Sequence, residues 1–284
     1  VTYANGKLTI NPASVTVTAN DVTKTYDGQP ATIPAENAAT VEGLIGSDTI
    51  TYTVAFASTA TDLTNVQETA GAVVASGDAT QGNYTVSYVA GKLTINKKSI
   101  TVVVNGDGDE VTYDGEPHTS TITVTPESDD PLFDPDKFDY TGDTTVTETG
   151  TGTYTVEIDP TKATYDDPNV DVTFVPGTPA TFEVSPLAVT VAIAGNTATV
   201  TYDGAAQQVT GYEVTAISSL LFTAADIVFA GEAAATGTAV GTYPMGLAAT
   251  DFASANANFD VTFAVTDGWL RINAAPEPEE GGTD

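Results

Sequence analysis

Apolar and polar residues alternate with a period of two along most of the chain. Ser14-Val15-Thr16-Val17-Thr18, Ser99-Ile100-Thr101-Val102-Val103 and Ala188-Val189-Thr190-Val191 set β-branched apolar side chains between small polar ones. That is the pattern of strands buried on one face. Thr119-Ser120-Thr121-Ile122-Thr123-Val124 begins polar and then alternates in the same way. Threonine suits this role because it packs on a pleated surface and keeps its hydroxyl in water. Gly and Asp or Asn break the runs about every 8–12 residues, as turns between strands of a sandwich or barrel do. Helical periodicity is confined to short stretches, 134–138 and 218–229, each predicting one or two turns. The equivalent stretch 41–48 reads as a loop.

The same phrases recur at a fixed interval. Tyr26-Asp27-Gly28, Tyr113-Asp114-Gly115 and Tyr202-Asp203-Gly204 lie 87 and 89 residues apart. At the offset of 89, Asn-Val-Asp-Val-Thr-Phe at 169–174 returns as Asn-Phe-Asp-Val-Thr-Phe at 258–263, and Leu132-Phe133 as Leu221-Phe222. The spacing predicts three modules, 14–98, 99–186 and 187–273, each of ordinary domain size. Residues 1–13 read as the closing strands of a preceding repeat, since 6–11 repeat 91–96 residue for residue, so the chain is expected to be a segment of a longer protein. If ordered, this N-terminal strand pair is expected to pair with another module or chain. Residues 274–284 read as a Pro/Glu/Gly linker or tail. The expected fold is all-β, a tandem array of small sandwiches of about seven strands, Ig-like or, in the alternative, β-grasp-like. Junctions of two or three residues without glycine predict an elongated rod rather than beads on a string.

Gly82-Asn83-Tyr84-Thr85-Val86-Ser87-Tyr88-Val89-Ala90-Gly91-Lys92-Leu93-Thr94-Ile95-Asn96 resembles the end of the MBG/YDG-type repeats of large bacterial surface proteins. Thr23-Lys24-Thr25-Tyr26-Asp27-Gly28 resembles the start of such a repeat, and Val240-Gly241-Thr242-Tyr243-Pro244 its central strand. The turns at Pro176-Gly177-Thr178-Pro179 and Asp267-Gly268-Trp269 depart from that pattern. The resemblance implies an exported, multi-repeat adhesin or stalk at the bacterial cell surface.

Composition narrows the partners. A net charge of −30 on 284 residues leaves no long-range attraction for nucleic acid or anionic lipid. It favours a soluble, self-repelling extracellular protein. No apolar run approaches the ~20 residues that span a bilayer. Cysteine is absent, so no disulfide or thiolate chemistry is available. The acidity is uneven: 19 of the 38 Asp and Glu residues fall in the middle module and seven in the third, which has no lysine.

Candidate chemistry is correspondingly thin. Asp-Gly supplies the positive φ of a tight hairpin or bulged loop, so all three Tyr-Asp-Gly triplets are read as structural turns, each Tyr ring packing on its own module. Asp107, Asp109 and Glu110, with Asp134, Asp136 and Asp139, are candidate calcium ligands because clustered loop carboxylates can supply oxygen donors, although no EF-hand spacing is present. No cofactor is otherwise expected. The single His118 accompanies no nucleophile elbow, zincin or phosphate-loop motif, and a repeated module has no natural place for a unique active site, so no enzyme is expected. The function expected is a stalk or spacer that holds a distal adhesive domain away from the cell. The alternative is that the repeats themselves bind a host or environmental ligand such as glycan or mucin, with or without calcium. Exposed aromatic clusters would mark such binding, and Trp269 is the residue to watch.

Overall fold

A computed structural model describes residues 1–277. The last part of the expected linker, 278–284, lies outside the described residues. The protein is all-β, a tandem array of small β modules. The described residues hold eight strands in the first repeat and ten in each of the other two, and no α-helix. Short 3-10 turns stand at Pro135–Lys137 and Ala224–Asp226, inside the stretches with helical periodicity. Two more, Pro160–Lys162 and Ala249–Asp251, occupy equivalent places in the second and third repeats.

The first repeat is a two-sheet sandwich. Its first strand, Ala13–Ala19, lies between Ala39–Glu42 and Tyr84–Val89. Its second strand, Val22–Thr25, belongs to the other sheet beside Gly91–Asn96, followed by Gln67–Ser76 and Thr53–Phe56. The opening strand runs parallel to the penultimate one, Val15 opposite Val86, and the second runs parallel to the last, Val22 opposite Leu93. Period-two alternation turns Val15, Val17 and Ala19 inward to meet Leu93, Ile95 and Val73 from the facing sheet. The third repeat keeps this plan. Leu187–Gly195 runs parallel to Phe259–Thr266, and Thr197–Thr201 runs parallel to Trp269–Asn273. Val189, Val191 and Ile193 face Leu270 and Ile272 across its core.

Contacts divide the molecule into two compact units whose boundaries run through the second repeat. Unit one comprises Val1–Asn105, Thr125–Gly142 and Ile158–Gly177. Unit two comprises Gly106–Val124, Asp143–Glu157 and the described residues from Thr178 on. The sheet of Val124–Glu127, Lys98–Gly106 and Val170–Pro176 thus falls essentially in unit one with the first repeat. The sheet of Asp109–Thr112, Ala180–Ser185 and Gly152–Val156 falls in unit two with the third repeat.

Residues 1–12 form no strand and are exposed, with Val1, Tyr3, Leu8 and Ile10 between 85% and 112% accessible. The strand pair expected there is not formed. Within the first repeat the place that Gly6-Lys7-Leu8-Thr9-Ile10-Asn11 would take is held by its own copy, Gly91–Asn96.

Leu93 and Leu270 are fully buried. Replacing either with Ala removes buried methyl groups and leaves a cavity, so each variant should lose roughly 2–5 kcal/mol in its own unit. Thr85→Ala, at an exposed strand position, should stay within about 0.5 kcal/mol. Urea unfolding followed by far-UV circular dichroism reads all three.

Candidate functional site

The three Tyr-Asp-Gly triplets are turns, but not hairpins. Each follows the second strand of its repeat, and the strands on either side pair with other partners. Val22–Thr25 and Ala39–Glu42 lie in different sheets, and His118–Thr121 pairs with Thr145–Glu148 rather than with Asp109–Thr112. No hairpin closes at the triplet because the strand that follows it joins a different sheet, while the second strand pairs with the last strand of its repeat. All three turns are built alike. The aspartate carboxylate accepts the N–H two residues on, from Gln29, Glu116 and Ala205, each at 2.9 Å. The glycine has φ of +74°, +88° and +83°, which a side chain at that position would strain. The tyrosine N–H donates to the last strand, at Asn96, Ser185 and Asn273.

Their carboxylates are held below the ordinary range by somewhat different partners. Lys24 hydrogen-bonds Asp27 first, with the Gln29 N–H second. The Glu116 N–H leads at Asp114, helped by His118 Nε2 at 2.8 Å. At Asp203 the Ala205 N–H leads, helped by Gln207. His118 is thereby placed as a turn ligand.

The tyrosine rings do not stay within their own repeats. Tyr26 packs against the first core and also against the cluster of Ile100, Val102 and Val170 in the second repeat, beside Phe133 and Tyr165. Tyr113 meets Phe259 of the third repeat edge-on at 5.5 Å, and Phe259 in turn meets Phe222 at 5.2 Å. A Cβ placed on Gly28 would lie 3.5 Å from the Leu132 methyl, and one on Gly115 would lie 3.3 Å from Leu221. The triplet is therefore a repeat-to-repeat contact, made twice from equivalent residues.

An asparagine completes each joint. Asn169, only 9% exposed, accepts the Val66 N–H at 2.8 Å and donates to Asn65 Oδ1 at 3.0 Å. Asn258 accepts the Thr151 N–H at 3.0 Å and its hydroxyl at 3.1 Å. Both asparagines stand at the entrance of the strand that runs parallel to the first strand of their repeat, and their carbonyls accept from Lys98 and Leu187. Each is steadied from two residues upstream: Asp167 Oδ1 accepts the Asn169 N–H at 2.8 Å, and Asn256 Oδ1 accepts the Asn258 N–H at 3.1 Å. Behind Asp167 stands Lys137 at 2.7 Å, whereas behind Asn256 stands Asp226 at 3.3 Å. Polarity is exchanged at matching positions, and the contact survives.

The candidate calcium ligands are not gathered. Asp109 and Glu110 are adjacent on one strand, so their side chains project to opposite faces. Asp109 accepts from Ser120 and Glu110 from Ser185. Asp107 donates its N–H to Thr123. Asp134 caps the 3-10 turn through the Asp136 N–H, Asp136 lies exposed within that turn, and Asp139 is exposed at the centre of Phe138–Tyr140. Among the described residues no three Asp, Glu or His side chains are placed to hold a metal ion. An open depression of about 510 Å³ lies beside Ser99, Thr101, Glu127 and Asp129. Two of its polar groups are already used, Ser128 on the Thr101 carbonyl and Asp130 on Lys98. Trp269 is half-buried at the start of its strand.

The joint asparagines were not singled out from the sequence, although both head the phrases that recur at 169–174 and 258–263. Recurrence at a fixed offset was the only available signal, and it carries no information about which residue an amide will meet.

Asn169→Ala should leave the Val66 N–H without its acceptor, costing about 1–3 kcal/mol, with faster amide exchange confined to the joint around Val66. Burial pushes the Asp167 carboxyl up, but Lys137 and the Asn169 N–H outweigh it and hold it below the ordinary range. Lys137 is held above the ordinary lysine range by Asp167. The Asp167 contribution is thus present above the ordinary carboxylate pKa and fades as pH falls through its lowered value. The Lys137 contribution is present below the ordinary lysine pKa and fades as pH rises through its raised one. Stability of the first joint should be flat between these limits, and Lys137→Met should remove the alkaline limb in chemical denaturation.

Comparison with protein families matches residues 15–94 to the MBG domain of YGX type and residues 189–274 to the MBG domain. Comparison with curated proteins gives no match. No helix among the described residues is long and apolar enough to cross a membrane. With two such domains in tandem, set in a fold whose repeats share strand pairing, turn and joint, the chain belongs to the MBG-type repeat proteins.

Proposed function

We propose that the chain is a run of spacer repeats in the stalk of an exported bacterial surface adhesin, holding a distal binding domain away from the cell wall. On this reading it works outside the cell, has no catalytic role and needs no cofactor. The observation that carries the reading is the joint made twice from equivalent residues: a shared tyrosine ring, a glycine against a leucine methyl, and an asparagine clasp. A contact that recurs at both junctions between the three repeats serves transmission of position along a chain better than capture of a ligand. MBG domains are repeats often found in surface proteins, which agrees with this use. The net charge of −30 adds solubility and self-repulsion.

Scattering in dilute solution tests the stalk. Stiff repeats should keep the same maximum dimension as salt rises from ~0.15 to ~1 M, which shortens the Debye length from about 8 to 3 Å. Repeats that swing freely would contract as their repulsion is screened, and that result rejects the reading. A panel of glycans and mucins should show no saturable binding. A saturable hit instead makes the repeats themselves the binding element.

A further inference from the structure

The last strand of each repeat presents equivalent outward positions, and the charge on them differs from copy to copy. Thr94, Glu183 and Arg271 correspond, each two residues before the carbonyl that accepts the tyrosine N–H, at Asn96, Ser185 and Asn273. Their neighbours on the flanking strands correspond as well. Thr23 and Glu68 lie beside Thr94, Glu110 and Thr153 beside Glu183, and Thr199 and Thr242 beside Arg271. Partners in register share a face of the sheet. That face is turned away from the core, because the preceding residues Leu93, Phe182 and Leu270 are fully buried.

In the first repeat the face is electrically closed: Lys92 Nζ, on the same strand as Thr94, donates to Glu68 at 3.1 Å. In the second repeat it is acidic. Glu110 and Glu183 lie side by side in the ladder, Thr181 takes the place of Lys92, and neither carboxylate has an ion pair among the described residues. In the third repeat it is basic. Arg271 is exposed and is the only basic residue of that repeat, flanked by two threonines. In a chain with 38 acidic residues, it too has no ion pair among the described residues. Trp269, the only tryptophan, shares its face, half-buried between Thr197 and Pro244. A cation without a carboxylate and a carboxylate pair without a cation thus occupy the same place in two copies of one fold.

We propose that the Trp269–Arg271 face of the third repeat docks on the Glu110–Glu183 face of the second repeat in another copy of this chain. Charge complementarity selects that occupant. Glu110, Glu183 and Arg271 belong to one compact unit, yet no ion pair joins them within it, so a second copy has to supply the missing charge. A guanidinium fork takes a carboxylate through two parallel hydrogen bonds, which fixes orientation as well as charge. Trp269 adds flat apolar area beside it, and Trp with Arg is the pairing that anchors protein contacts. The attraction is local and the repulsion is not. Two chains of −30 repel at a distance, so the contact is weak and needs high local concentration. It uses sheet faces rather than the joints, and it does not rest on the stalk reading, so either can fail alone.

Sedimentation velocity of the full chain tests it, from ~10 μM to ~1 mM, the range of weak association, at ~0.15 M NaCl. The sedimentation coefficient should rise with concentration, and the emission of the single tryptophan should move to shorter wavelength in step as its face is covered. Arg271→Glu and Glu183→Arg alter exposed side chains, and each alone should weaken self-association about tenfold or more, since like charges then meet. An equimolar mixture of the two variants should associate again, because the reversed charges face one another across the contact. A merely structural effect of either substitution would give no such rescue. A chain that stays monomeric throughout overturns the proposal. So does self-association that neither variant changes, and so does a mixture that fails to recover what the single variants lost. Poly-glutamate that shifts the tryptophan emission while the chain remains monomeric also overturns it, and gives the face to a foreign carboxylate-bearing partner.

Discussion

Everything beyond the single repeat depends on where one tyrosine ring goes. Tyr26 and Tyr113 stand at the two joints, and each ring is half-covered by the next repeat. Removing an aromatic ring from water is worth roughly 1–3 kcal/mol at about 25 cal/mol per Å². That term has no direction and would tolerate a range of angles between neighbours. The asparagine supplies the direction, because its amide accepts from one particular backbone N–H and can do so in only one register. The two contributions are similar in size and different in kind: the ring holds the repeats together, and the amide sets how they meet.

The asparagine can be aimed so consistently because of how each sandwich closes. First strand with penultimate, and second with last, are parallel pairs joined across nearly the whole repeat. The strand that carries the asparagine is therefore locked to the strand that enters from the preceding repeat, by the same N–H to carbonyl bond at Ala13, Lys98 and Leu187. Entry point and clasp belong to one ladder, so any displacement of the incoming strand is transmitted directly to the clasp. The unit boundaries follow the same logic, since each unit holds one complete joint.

The fold class and the repeat period were legible because both are local or periodic properties. Alternating Val and Thr declare a half-buried strand wherever they occur, and Tyr-Asp-Gly declares a turn through its backbone requirement alone. Pairing was not legible. Val15 meets Val86 and Thr197 meets Trp269 across some seventy residues, and no spacing in the sequence distinguishes that arrangement from a hairpin between neighbours. The acidic middle repeat shows a related gap between sequence and space. Asp107, Asp109, Glu110, Asp134, Asp136 and Asp139 look gathered when read as text, but strand alternation turns Asp109 and Glu110 to opposite faces, and the carboxylates of Asp109, Glu110 and Asp134 each accept from a nearby hydroxyl or N–H. Density of charge along a chain says little about density in space unless the backbone between the charges doubles back.

The contrast between repeats has a structural explanation that needs no specialised site. Lys137 behind Asp167 is answered, at matching positions of the third repeat, by Asp226 behind Asn256. The pair changed from two opposite charges to a neutral amide donor on a carboxylate acceptor, while the asparagine it supports kept an equivalent partner. A repeat can therefore lose every lysine provided that the residue facing it loses its charge as well. The ion pair also confers a sensitivity at both ends of the pH scale that the amide–carboxylate pair confers only at the acid end, because an amide does not titrate. What varies from copy to copy is the charge around the joint, and what persists is the geometry within it. That is the signature of residues kept for joining repeats, with the surface between joints left free to change.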